Sequence, residues 1–317
     1  MAAAGFIKSG GVVAFPTETV YGLGADVFDA EAIGKIFKAK RRPADNPLIA
    51  HVDTREQIAG LTTVITESAE RFIHSFFPGP LTIVLAKAAA VPTIATAGLD
   101  TIGVRMPRNQ LAREFLHACG VPLVAPSANI SGRPSPTTWE AVYEDMNGRI
   151  DCILQGDATE IGLESTVVDC ISAVPLILRL GAISLAELQL VVPETLIYET
   201  SEKEAPRSPG MRHKHYSPRA RVLIADSEVR IADSRYRTTS LPLPVLTDRA
   251  AYIGLSQPDR TFEMERICGS TEEYARSVFE FFRECDRKGI ETIVCESVIE
   301  SGIGAALTDR LRRAADR

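Results

Sequence analysis

The sequence predicts an α/β protein of the α+β kind: an open, mixed sheet with helices before Tyr198, and a smaller α/β unit after Arg221. Three observations predict it. Short runs rich in β-branched residues alternate with segments of helical periodicity. Several of those runs follow one another without a helix between them, which makes the sheet mixed and not purely parallel. The 317 residues exceed the roughly 150 that one core usually holds, and the texture of the chain changes near Tyr198.

The elements follow in order. Residues 11–15 form an apolar strand, which Pro16 ends because it has no N–H to give to a ladder. Gly22 and Gly24 then read as shaping a turn. Asp29 caps a helix over 30–41 in which Ile33, Ile36, Phe37 and Lys40 share a stripe, and Pro43 closes it. Residues 48–52 are the next strand and 66–77 the next helix, stopped by Pro78-Gly79-Pro80. Strands at 81–86 and 101–105 precede a helix at 110–118 and the strand 123–125. A helix over 138–146, short strands at 152–154, 165–169 and 176–179, and a helix over 184–190 complete a domain spanning 1–198.

Residues 199–220 read as an interdomain linker. The segment is charged and aperiodic, then basic and aromatic between Pro209 and Pro218. The second unit, 221–317, opens with a strand over 221–225. It then shows a helix over 272–285 with Tyr274, Val278, Phe281 and Cys285 on one stripe, a strand over 292–295 and a last helix over 303–315.

Bulk composition narrows the function classes. Hydrophobic content of 45% and charged content of 24% are those of a soluble globular protein. No apolar run is long enough to span a bilayer, and the first residues lack the order of a signal peptide, so a cytoplasmic location is expected. A net charge of −6 argues against a protein that coats nucleic acid, though not against a local basic groove. The six cysteines form no CxxC pair, and the five histidines show no metal-ligand spacing. Buried free thiols and no protein metal site are expected.

Chemistry gathers at strand ends. Thr17-Glu18-Thr19-Val20-Tyr21 delivers two hydroxyls, a carboxylate and a phenol just after the first strand, where α/β sheets bind ligands. The alternative is a solvated strand-to-helix turn. Lys38, Lys40, Arg41 and Arg42 end the first helix. They either complement its dipole or cradle an anion, and the rigid Pro43–Leu48 loop favours the cradle by holding Asn46 beside Arg42. Arg105 ends a strand, as an edge charge or an anion partner. Ala125-Pro126-Ser127-Ala128-Asn129 follows another, as a plain turn or a close backbone approach to a ligand. The recurrence of polar and basic groups after strands points to one composite site for an anionic ligand, without a Walker A loop or a strand-borne GxGxxG.

Together these segments resemble the YrdC-like threonylcarbamoyl-AMP synthase family in its long, two-domain form. The match rests on Pro16-Thr17-Glu18-Thr19-Val20-Tyr21-Gly22-Leu23-Gly24, Lys40-x-Arg42-Pro43-x-x-x-Pro47-Leu48, Ser127-x-Asn129, and Ser208-Pro209-Gly210-Met211…His215-Tyr216-Ser217-Pro218. The segment from Gly302 to Leu311 also looks like that family's second domain. Two positions depart from the pattern: Asp309 stands where an asparagine is expected, and Arg41 where a small residue is. The chain also begins close to its first strand, so a short N-terminal element of the family is expected to be missing.

The resemblance implies a YrdC-like open twisted sheet and a smaller Rossmann-like domain. It implies formation of threonylcarbamoyl-AMP and pyrophosphate from L-threonine, bicarbonate and ATP. A threonylcarbamoyl transferase would then act on tRNA, next to the anticodon; any contact of this chain with tRNA would be weak. By motif position, Thr19, His51, Arg105 and Ser165 fall to threonine. Arg42, Asn46, Thr101, Ala125, Ser127, Asn129, Ser135, Arg179 and Tyr216 fall to ATP or the adenylate. Lys40 and Arg42 are the implied catalytic cations, Lys40 for phosphate or carbamate charge. Mg²⁺ is expected with ATP, with no organic cofactor. Residues 208–218 are expected to close as a lid, with Tyr216 or His215 reaching the nucleotide. The competing readings are a non-catalytic RNA-binding module and a carbamoyl-adenylate former with another carbamate source.

Overall fold

Alternation of strand and helix organises the molecule around two sheets. The computed structural model describes residues 2–43, 45–198, 216–225 and 249–315. In the first part the strands are β1 (Val13–Phe15), β2 (Gly22–Asp26), β3 (Ile49–His51), β4 (Leu81–Ala86), β5 (Thr101–Arg105), β6 (Leu123–Val124), β7 (Cys152–Ile153), β8 (Thr166–Asp169), β9 (Leu176–Arg179) and β10 (Leu196–Ile197). The helices are α1 (Ala2–Lys8), α2 (Ala30–Lys40), α3 (Arg55–Leu61), α4 (Glu67–Phe76), α5 (Gln110–Cys119), α6 (Trp139–Met146) and α7 (Leu185–Val191). The second part holds β11 (Arg221–Ala225), β12 (Ala250–Gly254), β13 (Met264–Ile267), α8 (Thr271–Lys288), β14 (Thr292–Glu296) and α9 (Ile303–Ala315).

The large sheet runs β10-β9-β8-β4-β5-β3-β6-β2-β1-β7 and is mixed, as expected. β3 pairs parallel with β5, setting His51 beside Arg105, while β6 runs antiparallel to β3. The small sheet runs β11-β14-β12-β13 with every pair parallel, the Rossmann-like arrangement expected.

Local sequence explains the helices that position the site. Asp29 accepts from the amides of Glu31 and Ala32 and so starts α2. Ile33, Ile36 and Phe37 bury the helix against the main core, each worth about 1.5–3 kcal/mol over an exposed side chain. The helix ends at Arg41, whose φ of 52° is left-handed, and the chain turns toward the Pro43–Leu48 loop. In the second part Tyr274, Val278, Phe281 and Cys285 all face the core, as their spacing predicts.

Ahead of the first strand, α1 buries Ala3, Ala4 and Ile7 in a core shared with α5. One expectation is corrected. Gly22 and Gly24 shape no turn, because both lie within β2, paired antiparallel to β1. They are needed for space: a Cβ at Gly24 would meet Phe15 Cε1 at 2.9 Å, and one at Gly22 would meet the Ala125 Cβ at 3.3 Å.

The two parts interlock through charge as well as packing. Leu163 and Tyr216 sit in the core of the small sheet. Arg283 on α8 is buried against Asp145 on α6 at 2.9 Å and donates to the Pro134 carbonyl at 2.6 Å. Of the expected linker and lid, Tyr216–Ala220 is described; residues 199–215, with His215, lie outside the described residues. The six cysteines are free, five of them buried. Among the described residues no helix is long and apolar enough to cross a membrane.

Candidate active site

Strand ends and the loops after them enclose one cleft of about 690 Å³, counting its open mouth. Four arginines line it; three of them come from separate elements around the strand ends, Arg105 from β5, Arg179 from β9 and Arg42 from beyond α2, and the fourth is Arg133.

Arg105 is held on three sides. It donates to Thr19 Oγ1 at 2.8 Å and to the Gly79 carbonyl at 3.3 Å, and lies 2.8 Å from Glu18 Oε1. Thr17 Oγ1 donates to the Val20 carbonyl and accepts the amides of Thr19 and Val20, so the segment after β1 folds back on itself. Thr19 is thereby fixed between Thr17 and Arg105.

His51 lines the same wall. Its Nδ1 faces the Ile49 carbonyl at 3.3 Å. A carbonyl only accepts, so the hydrogen sits on Nδ1 and Nε2 keeps its lone pair. Burial, reinforced by the Arg105 charge, pushes His51 down to about 3. The ring is a neutral acceptor.

Arg179 donates to the Ser165 carbonyl and to Ser165 Oγ, both at 3.1 Å, and Ser165 Oγ also meets Thr82 Oγ1 at 2.8 Å. Burial lowers Arg179, and the Arg310 and Arg105 charges push the same way. Burial likewise brings Arg42 down to about 10. Its Nη2 donates weakly to the carbonyls of Asn46 and Pro47, and its Nε has no hydrogen-bond partner. Perturbed cations facing a cleft mark a candidate anion-binding site.

Ala125, Ser127, Asn129, Ser135 and Tyr216 also line the cleft. The Asn129 side chain donates to the carbonyls of Ile130 and Arg133 at 2.9 Å and leaves its buried Oδ1 without a hydrogen bond.

Three expected site residues stand apart from this lining. Lys40 belongs to the buried stripe of α2, so its side chain runs inward and not into the cleft. Its Nζ donates to the Ser127 carbonyl and, at 2.7 Å, to that of Asn129. Burial, then the Arg42 charge, lowers it well below the ordinary lysine value. Lys40 therefore holds the Ser127–Asn129 loop from behind. Asn46 is buried, supplies its carbonyl to Arg42, and leaves its own Oδ1 without a hydrogen bond. Thr101 lies at the other end of β5 from Arg105, in a narrow recess with Thr82, Leu99 and Gly103.

Thr17, which the sequence singled out beside Thr19 without assigning it a role, lines the cleft. So do Arg133 and Glu164, which sequence reasoning missed. Glu164 accepts Ser135 Oγ at 2.5 Å and pairs with Arg310 at 2.9 Å. Glu164 had one local cue, its place beside Ser165. The Arg310 contact spans 146 residues, and its only cue was the family-like segment around it.

A two-part α/β fold that gathers a buried Arg105 and half-buried Arg42 and Arg179 around one cleft is the architecture of a protein that holds an anionic ligand. Comparison with known proteins narrows the class. The family model Sua5_yciO_yrdC, described as telomere recombination, matches residues 5–181, and Sua5_C, described as the threonylcarbamoyl-AMP synthase C-terminal domain, matches residues 183–316. The threonylcarbamoyl-AMP synthase of Pyrococcus abyssi is 42% identical over 315 residues, 98% of this chain and 92% of that protein. The Bacillus subtilis threonylcarbamoyl-AMP synthase is 38% identical over 99% of this chain and 92% of its own length. The crystal structure of P. abyssi Sua5 complexed with L-threonine matches with a TM-score of 0.88 at 39% identity, covering 99% of this chain and 93% of that one. The chain belongs to the threonylcarbamoyl-AMP synthase family, and is an enzyme of the nucleotidyl-transferring class.

Proposed function

We propose that the chain forms threonylcarbamoyl-AMP and pyrophosphate from L-threonine, bicarbonate and ATP, to supply threonylcarbamoyl modification of tRNA in the cytoplasm. The observation that carries this is the convergence of Arg42, Arg105 and Arg179 on one cleft. The reaction brings a carboxylate, a carbamate and a triphosphate together, and their mutual repulsion demands fixed cations. The amine of threonine and bicarbonate give a carbamate and water. A carbamate oxygen then bonds to the α-phosphorus as the bond to pyrophosphate breaks.

In this reading Thr19, His51, Arg105 and Ser165 form the amino-acid side. A carboxylate would meet Arg105, and the His51 Nε2 lone pair would accept from the amine. Arg42, Ser127, Asn129, Ser135, Arg179 and Tyr216 form the nucleotide side, with the Ala125 backbone close by. Residues 1–198 would carry the chemistry and 221–317 would support it. Among the described residues no group of three His, Cys, Asp or Glu could hold a metal ion. Mg²⁺ would enter with the triphosphate and offset its charge.

Pyrophosphate release from ATP, measured with and without L-threonine and bicarbonate, tests the proposal. Release that requires both is expected. Release indifferent to threonine refutes it, and RNA affinity that falls steeply with salt, without turnover, would support the RNA-binding reading instead.

A further inference from the structure

The C-terminal part reaches the cleft through one side chain. Arg310, on α9, is 1% exposed, and all its donor nitrogens are engaged. Nε donates to Glu164 Oε2 at 2.9 Å, Nη2 to the Leu180 carbonyl at 3.0 Å, and Nη1 to Asp309 Oδ2 at 2.6 Å. The guanidinium also lies 5.2 Å from the centroid of the Tyr216 ring, which stacks on Phe279 of α8 at 5.4 Å. Tyr216 holds a left-handed φ of 68°, so its place depends on what surrounds it. Glu164 and Tyr216 both line the cleft, whereas Arg310 does not.

We propose that Arg310 is a positioning residue of the cleft, through which the C-terminal part fixes Glu164 and Tyr216 and so shapes the wall at Ser135 and Arg179. This rests on the functional reading above, in which that wall receives the nucleotide. The charges around Glu164 make its partner indispensable. Arg310 approaches from α9, flanked by Asp309 and Arg313; Arg179 approaches from β9; Tyr216 and the Ser135 hydroxyl close the remaining sides. Burial would raise the Glu164 carboxyl, but Arg310 and Arg179 outweigh it and keep it ionised. With Arg310 gone, a buried carboxylate loses its ion pair and Tyr216 loses its cationic neighbour.

The test is steady-state kinetics of full-length Arg310→Gln with each substrate varied in turn. A positioning role raises KM for ATP about tenfold and leaves KM for threonine within about twofold. A merely structural role lowers kcat with the folded fraction and moves neither KM; that result overturns the proposal. If Arg310→Gln does not fold, the double variant Glu164→Gln, Arg310→Gln decides, because it removes the uncompensated carboxylate. It should fold and keep the raised KM for ATP, and a wild-type KM in it overturns the proposal. Calorimetric binding of AMP separates this inference from the functional reading. If the wild type binds AMP but shows no threonine-dependent turnover, the reading fails. Weaker AMP binding in Arg310→Gln then still supports the positioning role, and unchanged binding refutes it.

Discussion

Replacing His51 with Gln removes a group that folding holds neutral. The native ring titrates near 3, while the same ring in the unfolded chain has the ordinary value of 6.5. Above pH 6.5 neither state binds the proton, so His51 contributes no pH dependence there. Below it the unfolded chain takes up a proton that the native protein refuses, and stability falls by about 1.4 kcal/mol per pH unit until the native ring titrates. Between pH 6.5 and 5.0 this amounts to about 2 kcal/mol. Urea unfolding of wild type and His51→Gln at pH 7.5 and pH 5.0 measures it. Other groups titrate alike in both proteins, so the difference between their two losses isolates His51. The wild type should lose about 2 kcal/mol more than the variant. Equal losses would refute the neutral, buried imidazole, and with it the acceptor role given to Nε2.

Lys40→Met strands the Ser127 and Asn129 carbonyls that Lys40 now satisfies. It should cost roughly 2–4 kcal/mol in urea unfolding, together with a raised KM for ATP; unchanged stability would return Lys40 to the cleft. Gly24→Ala sets a methyl 2.9 Å from the Phe15 ring and should cost about 1–3 kcal/mol, read as a lowered urea midpoint. Calorimetry should show that Arg105→Ala weakens threonine binding at least tenfold while AMP binding changes little, and that Arg42→Ala does the reverse. Equal losses in both variants would dissolve the division of the cleft into two sides.

Much of the fold was legible because its signals are local. The Asp29 cap and the Ile33, Ile36, Phe37 stripe bound α2 without any tertiary information, and Arg105 announced itself as a charge at a strand end. Other elements depend on neighbours. β2 reads Gly-Leu-Gly-Ala-Asp, a sequence with little strand preference, and is extended because β1 and β6 flank it and Phe15 leaves no room for larger side chains. α3 has only seven residues and no side-chain cap bond at Thr54, so its periodicity gave no usable signal. Sequence showed which cations exist but not where each points. Lys40 and Arg42 are two residues apart, but Lys40 lies on the buried stripe of α2 and runs beneath the Ser127–Asn129 loop, whereas the left-handed turn at Arg41 carries Arg42 off the helix and into the cleft. Arg310 needed the docking of the two parts before its contact with Glu164 could be seen.

The central claim is that one cleft joins threonine, bicarbonate and ATP into a single adenylate. Incubation with ATP, L-threonine and ¹³C-bicarbonate, followed by mass spectrometry of the nucleotide products, tests it most directly. The account predicts an AMP adduct that carries threonine and one ¹³C, absent when any substrate is withheld. AMP and pyrophosphate formed with no labelled adduct, or the same adduct yield whichever amino acid is supplied, would contradict it.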